Sequence, residues 1–236
     1  MAILIENVVA PYYGTNCWIL ASGVGQECVV IDPGIGDYKF VDAIKNTLRE
    51  KKLKAAAILI THGHVDHFFT LLPLQSDVGI SKILIHKSDR ELLTSPQLAL
   101  SQETNLHLPK LNKLIPDHRF DEPEGISELP NQIELQLAGM NFRIINTPGH
   151  TPGSIIATVN DEVLVSGDTL FAGAIGRTDL PRGSISEMEE SLREKILTLP
   201  GDLKLLPGHG PVSRLEIEFN MNPYLKAAAE GRLSKL

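Results

Sequence analysis

The sequence predicts an α/β protein in which two β-sheets pack together and helices cover the outside. Two observations predict it. Short apolar runs of strand length recur in both halves, and each half reads strands, then helix, then strand. Side chains suited to metal or acid–base chemistry follow several of those runs, so one edge of the paired sheets would collect them. No linker separates the halves, which gives one domain over residues 1–236.

Ile3–Val9 and Asn16–Ala21 read as strands around the turn Pro11–Thr15, with Gly23–Gly25 making the next turn. Glu27–Ile31 is a third strand and ends in Asp32-Pro33-Gly34. Over Asp37–Lys51, Phe40, Ile44 and Leu48 keep i, i+4 spacing with Val41 beside them, an amphipathic helix. Ala55–Ile60 is a short buried strand, and Phe68–Leu74 the helix after it. Lys82–His86 is a further strand, followed by a helix that Ser88 would cap with Glu91 three residues on. Ser95–Pro130 is the least periodic stretch. Its length suits a functional surface excursion, with at most one short helix, walling an active site. His107 and His118 lie in it and read as surface histidines. The pattern restarts with strands at Ile133–Leu137, Asn141–Asn146, Ser154–Val159 and Glu162–Ser166. A helix over Ser186–Thr198 and a last strand, Leu203–Leu206, complete the second half.

Composition narrows the function. A chain of 236 residues with 42% hydrophobic content can bury a substantial core, roughly 70–75% of its unfolded surface. Net charge −7 argues against a nucleic-acid partner, which would leave a basic stripe. The longest charge cluster, Arg49–Lys52, reads as a solvated helix end. No apolar run approaches the roughly 18–20 residues of a membrane span. The N-terminus carries Glu6 and no basic segment, unlike a signal peptide, so a cytoplasmic location is expected. Cys17 and Cys28, the only cysteines, lie in apolar runs and read as buried thiols. The oligomeric state is not legible.

One stretch stands apart. Thr61-His62-Gly63-His64-Val65-Asp66-His67 places three of the chain's eight histidines, and a carboxylate, just after a buried strand. In an extended segment His62 and His64 project to one side, and Asp66 and His67 fall where the chain turns into a helix. Such crowding of imidazole and carboxylate is the chemistry of a metal site.

His-x-His-x-Asp-His after an apolar strand resembles the signature of the metallo-β-lactamase superfamily. Three further motifs follow in the family's order: Thr147-Pro148-Gly149-His150, Ser166-Gly167-Asp168-Thr169 and Pro207-Gly208-His209-Gly210-Pro211. The resemblance implies an αββα four-layer sandwich. It implies that His62, His64 and His150 hold one metal, that Asp66, His67 and His209 hold a second, and that Asp168 bridges both. The cofactors would be two divalent ions, zinc first, with iron or manganese as alternatives. Hydroxide between them would attack a carbonyl, with Asp66 and Asp168 as the catalytic carboxylates: Asp168 as the bridge, and Asp66 able to take a proton as well as bind metal. Asp32 is a candidate to orient a histidine through its free N–H, or it simply starts a turn.

Within the superfamily the chain is most similar to glyoxalase II-like hydrolases, that is, hydroxyacylglutathione hydrolases. Its partner would be a small thioester, S-lactoylglutathione or a similar conjugate. Ala172-Gly173-Ala174-Ile175-Gly176-Arg177-Thr178-Asp179 resembles a segment of the short members and of persulfide dioxygenases. Arg177 would bind a substrate carboxylate or pair with Asp179 to hold the loop. Full-length glyoxalase II enzymes carry a C-terminal helical domain, whereas here only residues 210–236 follow His209. The rival readings are a mononuclear iron persulfide dioxygenase and a catalytically silent metal-binding protein. An antibiotic-cleaving β-lactamase fits less well, with no secretory signal and with His67 directly after Asp66.

Overall fold

Alternation along the strands explains the layering. In the computed structural model, which describes residues 2–235, the first sheet runs β1 (Leu4–Val9), β2 (Asn16–Ala21), β3 (Glu27–Ile31), β4 (Lys54–Leu59), β5 (Ile83–His86) and β6 (Ile126–Leu129), in that order. The second places β7 (Gln132–Leu137), β8 (Met140–Asn146), β9 (Ile155–Val159), β10 (Val163–Gly167), β11 (Lys204–Pro207) and β12 (Ser213–Arg214) side by side. Every residue of β2 is buried because both its faces are covered. Cys17, Ile19 and Ala21 face an outer core, while Trp18 and Leu20 face the second sheet. Likewise Val163 and Val165 of β10 point inward and Leu164 outward.

Helices seal both outer faces. Phe40, Val41, Ile44 and Leu48 of α1 (Tyr38–Glu50) pack on the first sheet, and Asp37 caps that helix by accepting from Lys39 N and Phe40 N. Met188 of α6 (Ile185–Ser191) and Leu225 and Ala228 of α8 (Pro223–Ala229) pack on the second. Three apolar layers separated by two sheets make an αββα sandwich. Among the described residues no helix is long and apolar enough to cross a membrane. Cys17 and Cys28 are buried and free, and burial pushes the Cys28 thiol up to about 12.

Several expectations need correction. The helix expected over Phe68–Leu74 is two: α2 (Val65–Phe68) and α3 (Leu71–Val78). Pro73, which has no N–H to donate, fits only the first turn of a new helix, and Thr70 ties the joint to the carbonyls of Pro33 and Gly34. Asp66 and His67 are therefore helical. Ser88 does not cap; only a short 3₁₀ turn, Arg90–Leu93, follows it, because Asp89 turns inward. The Ser95–Pro130 excursion holds a 3₁₀ turn, α4 (Gln102–Asn105), α5 (Leu108–Leu111) and the edge strand β6. With Ser127 and Glu128 at its middle, β6 lacks an apolar signature, as edge strands often do. His118 is half-buried, its ring stacked on Phe69 at 4.0 Å, rather than free on the surface. The helix expected over Ser186–Thr198 begins as α6 and widens into a π turn at Leu192–Ile196. After β12, α7 (Leu215–Met221) and α8 were not foreseen.

The two sheets are stitched together at one edge. Asn16 Nδ2 of β2 donates to the carbonyls of Pro207 (3.0 Å) and Gly210 (2.9 Å), and Trp18 Nε1 donates to Pro207 O at 2.9 Å. The ends of β3, β4, β10 and β11 all open on that edge.

Candidate metal centre

Each candidate side chain sits just past the end of a strand or on the turn that follows. His62 and His64 follow β4, Asp66 and His67 lie on α2, His150 sits in the β8–β9 loop, and Asp168 and His209 follow β10 and β11. Glycines let these segments approach one another. A Cβ on Gly208 would lie 2.2 Å from Asp168 Oδ1 and 2.8 Å from the His67 ring, and Gly167 takes a left-handed φ of +49° against Thr61.

The first cluster is a triangle of ring nitrogens. His62 Nε2 lies 3.1 Å from His64 Nδ1, His64 Nδ1 2.7 Å from His150 Nε2, and His150 Nε2 3.1 Å from His62 Nε2. The second joins Asp66 Oδ2, His67 Nε2 and His209 Nε2. His209 Nε2 is 3.1 Å from His67 Nε2 and 3.3 Å from Asp66 Oδ2. Asp168 stands between them, with Oδ2 3.5 Å from His150 Nε2 and 3.4 Å from His209 Nε2, and Oδ1 3.4 Å from His67 Nε2. The structure thus brings together all seven residues singled out in the sequence, as groups able to hold a metal ion.

The outward nitrogens fix the tautomers. His150 Nδ1 donates to Arg177 O (2.7 Å), His67 Nδ1 to Asp32 Oδ2 (2.9 Å) and His209 Nδ1 to Tyr13 O (3.1 Å). Thr61 Oγ1 gives its hydrogen to Asp32 Oδ2, so it accepts from His62 Nδ1. With the rings neutral, as metal binding requires, four Nε2 lone pairs face inward, two of them, on His62 and His150, only 3.1 Å apart. Buried Asp168 Oδ1 has no hydrogen-bond partner. Facing lone pairs and an orphaned carboxylate oxygen fit a cation. Such outer hydrogen bonds are the usual means of orienting imidazole ligands.

Burial pushes the His64 imidazole down to about 3 and that of His62 well below its ordinary value. Burial also opposes charge on the carboxylates, yet His67 and His209 take Asp66 down to about 2 and hold Asp168 well below the usual range. Conversely, burial works against protonating His209, but hydrogen bonds to Asp168 and Asp66 carry it up to about 9. Asp168, Asp32 and Asp66 raise His67 well above its normal value against the same penalty.

Two residues in this frame escaped the sequence reading in different degrees. Asp32 adopts φ +52° and accepts from Thr61 N (2.8 Å) as well as from His67, so it does more than begin a turn. Asp89 was overlooked. Fully buried, it accepts from Gly63 N (2.7 Å), Thr151 Oγ1 (2.6 Å) and Gly153 N (2.8 Å), tying the His62–His64 loop to the His150 loop. The one trace in the sequence is its position, an acid shortly after the strand Ile83–His86, as Asp32 follows Glu27–Ile31.

His64, Asp66, His150, Asp168 and His209 form the floor of a cavity of about 380 Å³. Leu100, Thr104 and Leu111 of the excursion wall one side; Phe171, Gly176, Arg177 and Leu180 wall the other. Arg177 pairs with Asp179 through Nε and Nη2, both at 2.8 Å.

The sequence profile described as Metallo-beta-lactamase superfamily matches residues 11–209. The chain belongs to this superfamily. It is 32% identical to hydroxyacylglutathione hydrolase GloC of Haemophilus influenzae over 94% of its own length and 98% of that protein's. The crystal structure of the BLEG-1 B3 metallo-β-lactamase superposes with TM-score 0.79 at 30% identity, covering 94% of this chain and 99% of that one. That of TTHA1623 in a di-iron-bound form gives TM-score 0.73 at 27% identity, covering 93% and 99%. Superfamily membership makes the clusters the place for divalent metal and the protein a metallo-hydrolase type.

Proposed function

We propose that this protein is a metal-dependent hydrolase of small acyl thioesters, of the hydroxyacylglutathione hydrolase type, acting on S-lactoylglutathione-like substrates. The observation that carries the reading is the pair of adjoining triads with Asp168 between them, on the floor of a cavity that no serine, cysteine or lysine lines. Similarity to GloC supports the substrate class.

His62, His64 and His150 would hold one ion, Asp66, His67 and His209 the other, and Asp168 would lie between; zinc is the first expectation. When bound, divalent ions polarise a carbonyl and bring the pKa of bound water from 15.7 toward roughly 7. The chain's own residues do the rest. Asp32, Thr61, Arg177 O and Tyr13 O keep the imidazole lone pairs aimed inward. Asp66, ionised at neutral pH, offers a proton acceptor at the cavity floor. The apolar walls exclude water and receive the acyl group.

Those walls also bear on selectivity. The one Lys or Arg lining the cavity, Arg177, is engaged by Asp179, which favours its loop-holding role over carboxylate binding. Affinity for glutathione conjugates should be modest, with tolerance for other acyl groups. Purified protein analysed for metal, then assayed with S-lactoylglutathione, a β-lactam and glutathione persulfide, tests the reading. Close to two metals per chain and thioester turnover are expected. Oxygen uptake on the persulfide, or β-lactam cleavage, without thioester turnover would overturn it.

A further inference from the structure

Downstream of His209 lies a buried carboxylate without a cation. Glu218 of α7 is 3% exposed. Its Oε2 accepts from Gly173 N at 2.7 Å and Asn222 Nδ2 at 3.1 Å, and its Oε1 accepts from Ser213 Oγ. Asn222, fully buried, also turns its Nδ2 toward the carbonyls of Phe171 (3.3 Å) and Ala174 (3.1 Å). Its Oδ1 caps α8, accepting from Tyr224 N and Leu225 N.

Burying a carboxylate and an amide is costly unless their polar atoms are met, and apolar side chains would have packed α7 onto the sheet more cheaply. What these two polar groups gain is a hold on backbone. The turn Phe171–Ala174 leaves β10 shortly after Asp168 and closes on itself through paired Phe171 and Ala174. Phe171 stands in the cavity wall, edge-on to His209 at 6.0 Å between ring centres. Gly176 and Arg177 follow in the same wall, and the Arg177 carbonyl receives His150 Nδ1–H. No residue of α7 or α8 lines the cavity itself.

We propose that Glu218 and Asn222 are positioning residues: by gripping the backbone of 171–174 from beneath, they hold the Phe171 and Gly176–Arg177 wall of the substrate cavity and so set substrate affinity. The substrate side of this inference rests on the thioesterase reading above; the grip itself does not. A surface turn held only by its own short bridge would open locally far more often than the strand it leaves.

Asn222→Asp separates the two jobs of Asn222. Aspartate is a good helix N-cap, so α8 keeps its cap, but an oxygen replaces the donor facing two carbonyls and Glu218. Glu218→Ala is the partner variant, removing the acceptor of Gly173 N–H and Asn222 Nδ2 altogether. Metal-loaded full-length variants would be followed by hydrogen–deuterium exchange and by kinetics on the thioester the wild type hydrolyses best. Exchange across 171–176 should quicken about tenfold or more, with β2–β4 as protected as before. Metal content should hold, and KM should rise about three- to tenfold with kcat within about twofold. Unchanged exchange and KM in folded variants would overturn the proposal. So would a parallel loss of protection everywhere, of metal and of kcat, which marks a general structural support. If Asn222→Asp does not fold, Glu218→Ala carries the same expectations. Should the wild type hydrolyse no thioester, the functional reading falls, and exchange across 171–176 alone decides the grip.

Discussion

At the floor of the cavity His67 is fully buried and its outer nitrogen is tied to Asp32, while in the excursion beside the wall Leu106 is 75% exposed and α4 and α5 span four residues each. The floor hangs from strand ends of both sheets, and most of its imidazoles have a named outer partner. On the excursion side the wall is made of short turns around Pro96 and Pro109, seated on the outer core of the first sheet through Leu100, Leu108, Leu111 and Ile115. Chemistry is thus anchored at strand ends, and one wall of the cavity on one-turn helices that owe their place to apolar packing rather than to a ladder of backbone hydrogen bonds.

The sharpest way to break that contrast is to remove the group shared by both triads. Asp168→Ala should lower thioester turnover about a thousandfold or more, roughly 4 kcal/mol of barrier, and reduce metal content. Metal analysis beside initial rates checks it, and two retained metals with near-normal rates would contradict it.

Asp89→Ala comes next. It strands the Gly63 and Gly153 N–H groups in a buried space and leaves the Thr151 hydroxyl only Ser154, so about 3–5 kcal/mol of stability should go. Denaturant midpoints report this, and metal affinity should fall about 10- to 100-fold as the two histidine loops separate.

Acidity sharpens the floor further. In metal-free protein His209, raised to about 9, is protonated at neutral pH. Its contribution to stability is complete below its ordinary value near 6.5 and is lost as pH climbs through about 9. Metal must displace that proton, so affinity should increase with pH across the same window, by up to about tenfold per unit for each proton released. Zinc competition titrations and melts of the metal-free protein would show it; pH-independent affinity would refute it.

Leu111→Ala tests the wall. KM should rise about two- to fivefold with metal content unchanged. Smallest of all, Cys17→Ala and Ser154→Ala should leave activity within about twofold, since neither residue lines the cavity and no acyl-enzyme is expected.

The same division governs what the sequence made legible. The 62–67 cluster could be read because its chemistry is dense and local, and the strands because their alternation is set by burial on two faces. Asp32 was ambiguous, since an acid before Pro-Gly also makes a turn. Asp89 left only its place after a strand, and Glu218 nothing, because their partners, Gly63, Gly153 and Gly173, are backbone groups distant in sequence, and a backbone N–H leaves no mark in the residue pattern. The wall resisted for another reason. Helices of one turn have no periodicity to detect, and β6 borrows its pairing from β5.

The stitch from Asn16 and Trp18 to Pro207 and Gly210 has a mechanical meaning. Two stacked sheets can shear or hinge against each other, and the motion is smallest where they are pinned. Here the pin lies beside His209, at the edge carrying both triads. Any shear of one sheet over the other would thus disturb the spacing of the imidazoles least, because the centre sits beside the pin.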